Sequence, residues 1–306
     1  MSLVHTRSLA ATIVVVALAG CVSSARDARV TRDEAITIAS FDFAESELVA
    51  AVYAGALREA GFDVTHLRRV GSRELLLPAL ERGLVEIVPE YSGSALSFLG
   101  GAATSDASAT AAALDAEIAP RGLDAMEPAA AQSRNGLVVS AETAERLGLR
   151  TISDLVGAAD EMSFGGPPEC PDRPLCLPGL ERAYGLTFGS FLPLDVGGPI
   201  TVAAVSGGTV DVGLLFTSDG SLARHDLVLL RDDRRLQPAE SIVPLVRRDA
   251  IDRFGPALGE ALDRVSSQLT TDELRRLNAL VADGSSADDV AARWLDEHAT
   301  GMRAPG

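Results

Sequence analysis

ITIASFDFAESELVAAVYAGALREAGFDVTHL, residues 36–67, changes its hydrophobic period twice within one short stretch. Ile36-Thr37-Ile38-Ala39 is a β-rich run. Asp42 followed by Glu45 reads as a helix-capping pair, after which apolar residues recur at Leu48, Val49, Val52, Tyr53, Ala56 and Leu57, the spacing of one helix face. Gly61 stops that helix, and Phe62 to Leu67 alternates as a strand does. Strand, helix, strand in roughly thirty residues is the unit from which open α/β sheets are built.

The pattern continues outward. Ser72 can cap a second helix ending at Gly83, with Pro78 expected to kink it or end it early, and Val85 to Val88 is the next strand. Gly100 to Ala119 is rich in Ala, Ser and Thr and reads as a solvent-facing helix plus loop. A second βα set opens at Gly136–Val139 and continues through Met162–Gly165, a helix at Pro178–Tyr184, a strand at Phe191–Val196, a helix at Pro199–Ser206 and a strand at Val210–Phe216. Two more strands, Asp226–Leu230 and Ser241–Val246, precede helices from Pro256 to His298, whose periodic apolar residues predict packing against the first set. Trp294 and Tyr53 read as core. The fold class is α/β, with mostly parallel sheet covered on both faces.

Toward the N-terminus, Leu9 to Gly20 is uncharged, follows Arg7 and ends at Cys21. Twelve residues rise only about 18 Å as a helix, too short for a bilayer core of roughly 30 Å. A basic start, a short apolar core and small residues at the end describe a secretory signal. Leu18-Ala19-Gly20-Cys21 looks like the lipobox of bacterial lipoproteins, which implies that residues 1–21 are a signal ending at a lipidated Cys21 and that the protein is extracytoplasmic, held to the membrane by that lipid. Residues 22–34 are polar, lack periodicity and read as a tether.

Composition narrows the function. The formal net charge of −16 argues against nucleic-acid partners, since phosphates would repel it. Hydrophobic residues make up 47% of the chain, enough to fill a core. Cys170 and Cys176, close in sequence and set among Pro171 and Pro174, are expected to form a disulfide in an oxidising compartment. Closing so small a loop contributes about 2 kcal/mol. His5, His66, His225 and His298 are scattered, so neither a metal site nor a cofactor is expected.

Ligands of open α/β sheets sit at loops after strand ends. Here those loops contain Ser40-Phe41-Asp42-Phe43-Ala44-Glu45, Val70-Gly71-Ser72-Arg73-Glu74, Pro89-Glu90-Tyr91-Ser92-Gly93, Gly165-Gly166-Pro167-Pro168-Glu169, Leu194-Asp195-Val196-Gly197-Gly198-Pro199 and Phe216-Thr217-Ser218-Asp219-Gly220. As an ordered set they resemble the solute-binding proteins of osmoprotectant importers, the glycine betaine/carnitine/choline class of ATP-driven transporters, over residues 35 to 300. The resemblance implies a type II periplasmic-binding-protein-like fold: two α/β lobes, 35–131 with 222–306 and 132–221, with crossings at Ala131–Asn135 and Thr217–Leu222. It implies a monomer that captures a small polar solute between its lobes and hands it to a transmembrane permease with a cytoplasmic ATPase.

Helix starts at strand ends present free N–H groups that suit a carboxylate, and Ser40, Ser72 and Gly198 stand at such entries. On the resemblance Tyr91 is a tyrosine of the family's aromatic cage, where ring faces hold a quaternary ammonium; its truncation is expected to weaken binding and spare stability. Other cage places fall on Pro128 or Ala129, Ile200, and Gln237 or Glu240, with Phe41 or Phe216 as partial substitutes. The cage is therefore incomplete, and the expected pocket is more polar. The candidate ligand-binding residues are Ser40, Phe41, Asp42, Ser72, Tyr91, Gln132, Asn135, Glu169, Gly198, Thr217 and Asp219. A polyol, a sugar-like or polyphenolic compound, or a cation met by carboxylates fits such a pocket. Two rival readings are a surface lipoprotein that senses rather than transports, and an enzyme using Glu169 and Asp219 as acid and base. No Gly-x-Ser-x-Gly, His-rich metal motif or phosphate loop appears, so no catalysis is expected.

Overall fold

The computed structural model describes residues 35–195 and 197–302. The signal, Cys21 and the tether lie outside the described residues. No described helix is long and apolar enough to cross a membrane.

The chain enters as predicted, with β1 (Ile36–Phe41), α1 (Ala44–Glu59) and β2 (Val64–Gly71). β1 is buried at nearly every residue, as a strand covered on both faces must be. α2 (Arg73–Glu81) runs through Pro78 and ends at Arg82, so the proline removes one hydrogen bond without breaking so short a helix. β3 (Ile87–Tyr91), α3 (Ser92–Phe98), α4 (Ala107–Ile118) and β4 (Leu123–Ala125) complete the first passage. The chain then builds β5 (Asn135–Ser140), α5 (Ala141–Leu147), β6 (Ser163–Gly166), α6 (Leu177–Tyr184), β7 (Ser190–Pro193), α7 (Pro199–Ser206), β8 (Val212–Phe216) and β9 (Leu227–Leu230). It returns as β10 (Ile242–Arg247), α8 (Arg248–Phe254), α9 (Pro256–Gln268), α10 (Thr271–Ala282) and α11 (Ala287–Met302).

Two five-stranded sheets result, ordered β2-β1-β3-β10-β4 and β7-β6-β8-β5-β9. Both are mixed. β10 runs antiparallel to β3 and β4, and β5 runs antiparallel to β8 and β9. The expectation of mostly parallel sheet holds for four strands of each five; the reversed strand in each is the one the chain lays down after crossing from the other sheet. Topology of this kind leaves no trace in local periodicity.

One buried cluster fills the first lobe, where α9, α10 and α11 pack on α1. Trp294 and Tyr53 are fully buried in it, and the Tyr53 hydroxyl lies 2.9 Å from that of Ser266. Gly55 allows α1 to meet α11 closely, since a Cβ there would stand 2.4 Å from Leu295 Cδ1. The second lobe has two clusters on opposite faces of its sheet: Leu137 and Val139 join one, and Val138 the other, the alternation of a strand.

The lobe boundary differs from the expected one. β9 pairs with β5 in the second sheet, past residue 222, and the chain rejoins the first sheet only near Ser241, which bridges Gln132. The stretch 217–224 does reach the first lobe, because Gly220 packs against α10 so tightly that a Cβ would lie 2.4 Å from the Ala279 backbone nitrogen. It then turns back to build β9. Three backbone passes therefore join the lobes, and they bond to one another: Thr217 N donates to Arg134 O at 2.8 Å, Ser133 and Ser218 hydroxyls lie 2.7 Å apart, and Ser133 N donates to Glu240 O at 3.1 Å.

Candidate functional site

The cleft between the sheets contains two adjoining cavities. The larger, about 690 Å³, is bounded by Phe43, Glu45, Tyr91, Phe216, Asp219 and Asn278 among others. The smaller, about 300 Å³, is bounded by Arg134, Asn135, Glu169, Arg173, Gln237 and Glu240 among others. Ser94, Ser133 and Phe216 border both.

The start of α1 shapes the larger cavity. The N-cap position is Phe43 rather than Asp42, whose carboxylate instead pairs with Arg69 at 2.9 Å on the exposed surface. That shift brings Phe43 and Glu45 to the cleft. Phe43 stacks on Phe41 at 6.0 Å and tilts against Tyr91 at 5.9 Å, while remaining 42% exposed and so available to a solute. The Tyr91 hydroxyl donates to Glu45 Oε1 at 2.9 Å, and Asn278 Nδ2 donates to Glu45 Oε2 at 2.6 Å. Burial and then the Glu45 charge hold the Tyr91 phenol well above its ordinary range, so it remains a neutral donor. Behind this wall Arg73 grips the buried Glu90 with two bonds of 2.8 Å and lies 5.3 Å above the Phe41 ring. Burial pulls the Arg73 guanidinium down, but the Glu90 pair outweighs it and the net direction is up.

Around the smaller cavity, Glu240 accepts from Ser94 N at 2.9 Å and Ser94 Oγ at 2.8 Å. Burial raises its carboxyl, and the Ser94 bonds only partly oppose this. The disulfide between Cys170 and Cys176 is present, with Cα atoms 5.3 Å apart, and both residues border the cavity. Its loop contributes Glu169 and Arg173, paired at 2.9 Å, and Leu175, whose carbonyl accepts from Gln237 Nε2 at 2.8 Å.

The residues singled out from sequence divide clearly. Tyr91, Asn135, Glu169 and Asp219 border the cleft; Asp219 also accepts from Ser221 N at 2.7 Å and caps the turn at 220–223. The others stand back from it. Ser40 is buried and accepts from Arg69 N; Phe41 lies behind Phe43; Ser72 occupies the N-cap of α2 without a side-chain capping bond. Thr217 bonds Gln132 O and Arg134 N, so Thr217 and Gln132 lace the crossing. Gly198 begins α7, whose free N–H groups are taken by Asp195, and its neighbour Gly197 borders the cavity instead. Of the alternative cage places, Gln237 and Glu240 border the smaller cavity, Ala129 is core, and Ile200 is exposed at the start of α7 outside both cavities. Phe43 and Glu45 lie in the ligand loop read at 40–45 but were not singled out there, and Ser94, Ser133, Arg134 and Asn278 were not anticipated. A helical reading of 44–57 could have shown that Phe43 and Glu45 flank a helix start at a strand end.

Comparison with known proteins gives these features a context. The family model for the substrate-binding domain of the ABC-type glycine betaine transport system matches residues 34–297. A glycine-betaine-binding protein of Pseudomonas aeruginosa is 29% identical over 278 residues, 87% of this chain and 88% of its own length. The crystal structure of a glycine betaine/carnitine/choline ABC transporter protein superposes with a TM-score of 0.82 at 22% identity, covering 88% of this chain and all of that one. The apo form of YehZ from Escherichia coli superposes with a TM-score of 0.75 at 25% identity, covering 88% of this chain and 99% of its own. The two-lobed α/β fold is that of the type II periplasmic binding proteins. With a matching model across nearly the whole described chain and a solute-sized cleft between its lobes, the protein belongs to the substrate-binding family of ABC-type glycine betaine transport systems.

Proposed function

We propose that this chain is the lipid-anchored, extracytoplasmic, monomeric receptor of an ABC importer, that it carries an ammonium-bearing solute to its permease, and that it performs no chemistry on it. Family membership supports transport. One observation carries the ligand class: Phe43, Tyr91 and Phe216 border the same cavity as the carboxylate of Glu45, which Tyr91 and Asn278 hold in place. Ring faces attract a quaternary ammonium through their quadrupoles, and a positioned carboxylate adds charge attraction. Because Phe43, Glu45 and Tyr91 belong to the first lobe and Phe216 ends a strand of the second, a solute touching both sets stabilises the closed form, the form that docks on the permease.

A thermal-shift series with glycine betaine, choline, carnitine and sorbitol tests this reading. At a hundredfold excess over its dissociation constant a solute stabilises by about 2.7 kcal/mol, several degrees for a chain of this size. Shifts with the ammonium compounds and none with sorbitol are expected; the reverse pattern, or none at all, overturns the ligand class. Recovery of the solute unchanged after prolonged incubation checks the absence of catalysis. Loss of membrane attachment in Cys21→Ser checks the anchor, and sedimentation the monomer.

A further inference from the structure

The rings of the larger cavity do not enclose it evenly. Tyr91 is only 8% exposed and Phe41 stands behind Phe43, so the ring surface free to meet a solute comes from Phe43, 42% exposed, and from Phe216. An ammonium bearing four alkyl groups has no hydrogen to donate and gains most where ring faces surround it. An ammonium that keeps an N–H gives up hydrogen bonds to water on entry, and it gains where acceptors replace them. The acceptors of this cavity therefore decide which kind of ammonium it suits.

Asn278 supplies the first of them. Its Nδ2 faces two oxygens, Glu45 Oε2 at 2.6 Å and Ser218 O at 2.9 Å, so both amide hydrogens are used and the surroundings fix the orientation of the carboxamide. Its Oδ1 meets no donor among the described residues and is not shut away from water, and the residue borders the cavity. Glu45 accepts one bond at each oxygen, from Tyr91 and from Asn278, where a carboxylate has room for about four. Asp219, one residue past Ser218, gives one oxygen to Ser221 N, and its other oxygen meets no donor among the described residues. Gly220 packs on the Asn278 backbone, where a Cβ would lie 2.8 Å from the carbonyl carbon, and this keeps Asp219 beside Asn278. Two carboxylates and a carboxamide oxygen thus stand on one wall, with the Tyr91 and Asn278 donors already spent. We infer that the larger cavity selects a protonated amine, an ammonium that still carries N–H, over a fully methylated one, and that Asn278 and Asp219 set this preference. The inference rests on the proposed ammonium solute and narrows its class.

The test is calorimetric titration of the full chain in detergent, at neutral pH, with choline and with N,N-dimethylethanolamine, in which a proton replaces one methyl and the charge is kept. The wild type is expected to bind the amine roughly fivefold or more tightly than choline. Asn278→Leu repeats the branching of Asn without its acceptor, and Asp219→Asn keeps an acceptor for the turn and removes the charge. Each should bring that ratio down by roughly threefold or more, and a fall in either supports the inference. The ratio is decisive because a change that merely loosens the cleft weakens both solutes alike. Where Asn278→Leu fails to fold, Asp219→Asn decides alone. Choline bound by the wild type as tightly as the amine overturns the inference and leaves the ammonium solute standing. A preference for the amine that survives in both variants would trace to its smaller size, and overturns the inference too. Binding of neither compound by the wild type overturns the ammonium solute and this inference with it.

Discussion

Tyr91 belongs to two environments at once. The residue is only 8% exposed and joins the first-lobe core, yet it also borders the cleft. That burial argues against the sequence-based expectation that truncation spares stability: Tyr91→Ala removes a buried aromatic, a change that costs about 3–5 kcal/mol, and should lower the unliganded midpoint markedly. Tyr91→Phe separates the roles. It keeps the ring and deletes the donor to Glu45, so the midpoint should stay close to wild type while solute affinity falls several-fold in a titration. His66 offers a different test. Burial first, then the charge of Arg68, lowers its imidazole to about 4, with Asp288 opposing and Arg58 adding to the effect, and neither ring nitrogen has a partner. A folded-state value below the unfolded 6.5 means the unfolded chain binds more protons between about 4 and 6.5. The contribution is complete above that window and is lost as the pH falls through it. Replacing His66 with Gln should flatten the rise of thermal midpoint with pH there; an unaltered slope would show that other groups set it. Residue identity at the cleft was legible where a loop motif carried it, as at Tyr91 and Asp219. What it hid was the meeting of Glu45 with Asn278 across 233 positions of chain.

At the scale of elements, periodicity located the strands and helices of the opening unit and the terminal helices, because each buries a face whose spacing matches its own geometry. It missed α3, α5 and β4, which are too short for a period to repeat, and it was blind to strand direction. Caps behave similarly. Asp42 has the right chemistry for one but faces Arg69, whereas Asp195 caps α7 through Ile200 N at 3.0 Å, Thr201 N at 2.9 Å and Thr201 Oγ1 at 2.7 Å. The last bonds keep the Asp195 carboxyl low against the opposing effect of burial. Asp195→Ala should cost about 1–2 kcal/mol in denaturant unfolding, the upper part of the range for lost caps. The disulfide loop combines stability with recognition. Replacing both Cys170 and Cys176 by Ser should lower stability by about 2 kcal/mol. It should also weaken solute binding, because Glu169, Arg173 and Leu175 reach the smaller cavity from that loop. A loss of stability with unchanged affinity would reduce the loop to a staple.

For the whole molecule, the two lobes differ in how they are built. The first has one continuous core spanning its sheet and terminal helices, and the second has two smaller clusters separated by its sheet. Amides of β5, β6 and β8 should thus exchange hydrogen sooner than those of β1 and β3 in the unliganded protein, with the difference narrowing when solute is bound. Similar protection in both sheets would indicate that the lobes unfold as one unit. The three passes between the lobes bear on more than connectivity. Two cords would let one body both nod and swivel against the other. The 217–224 pass, tied to the 131–135 pass through Ser133 and Ser218 and wedged against α10 at Gly220, should leave the nod and hinder the swivel. The protein is then a lever with a single coordinate. Spin labels placed anywhere on opposite lobes would report the same two populations, and a methyl group added at Gly220 would bias that lever without touching the solute.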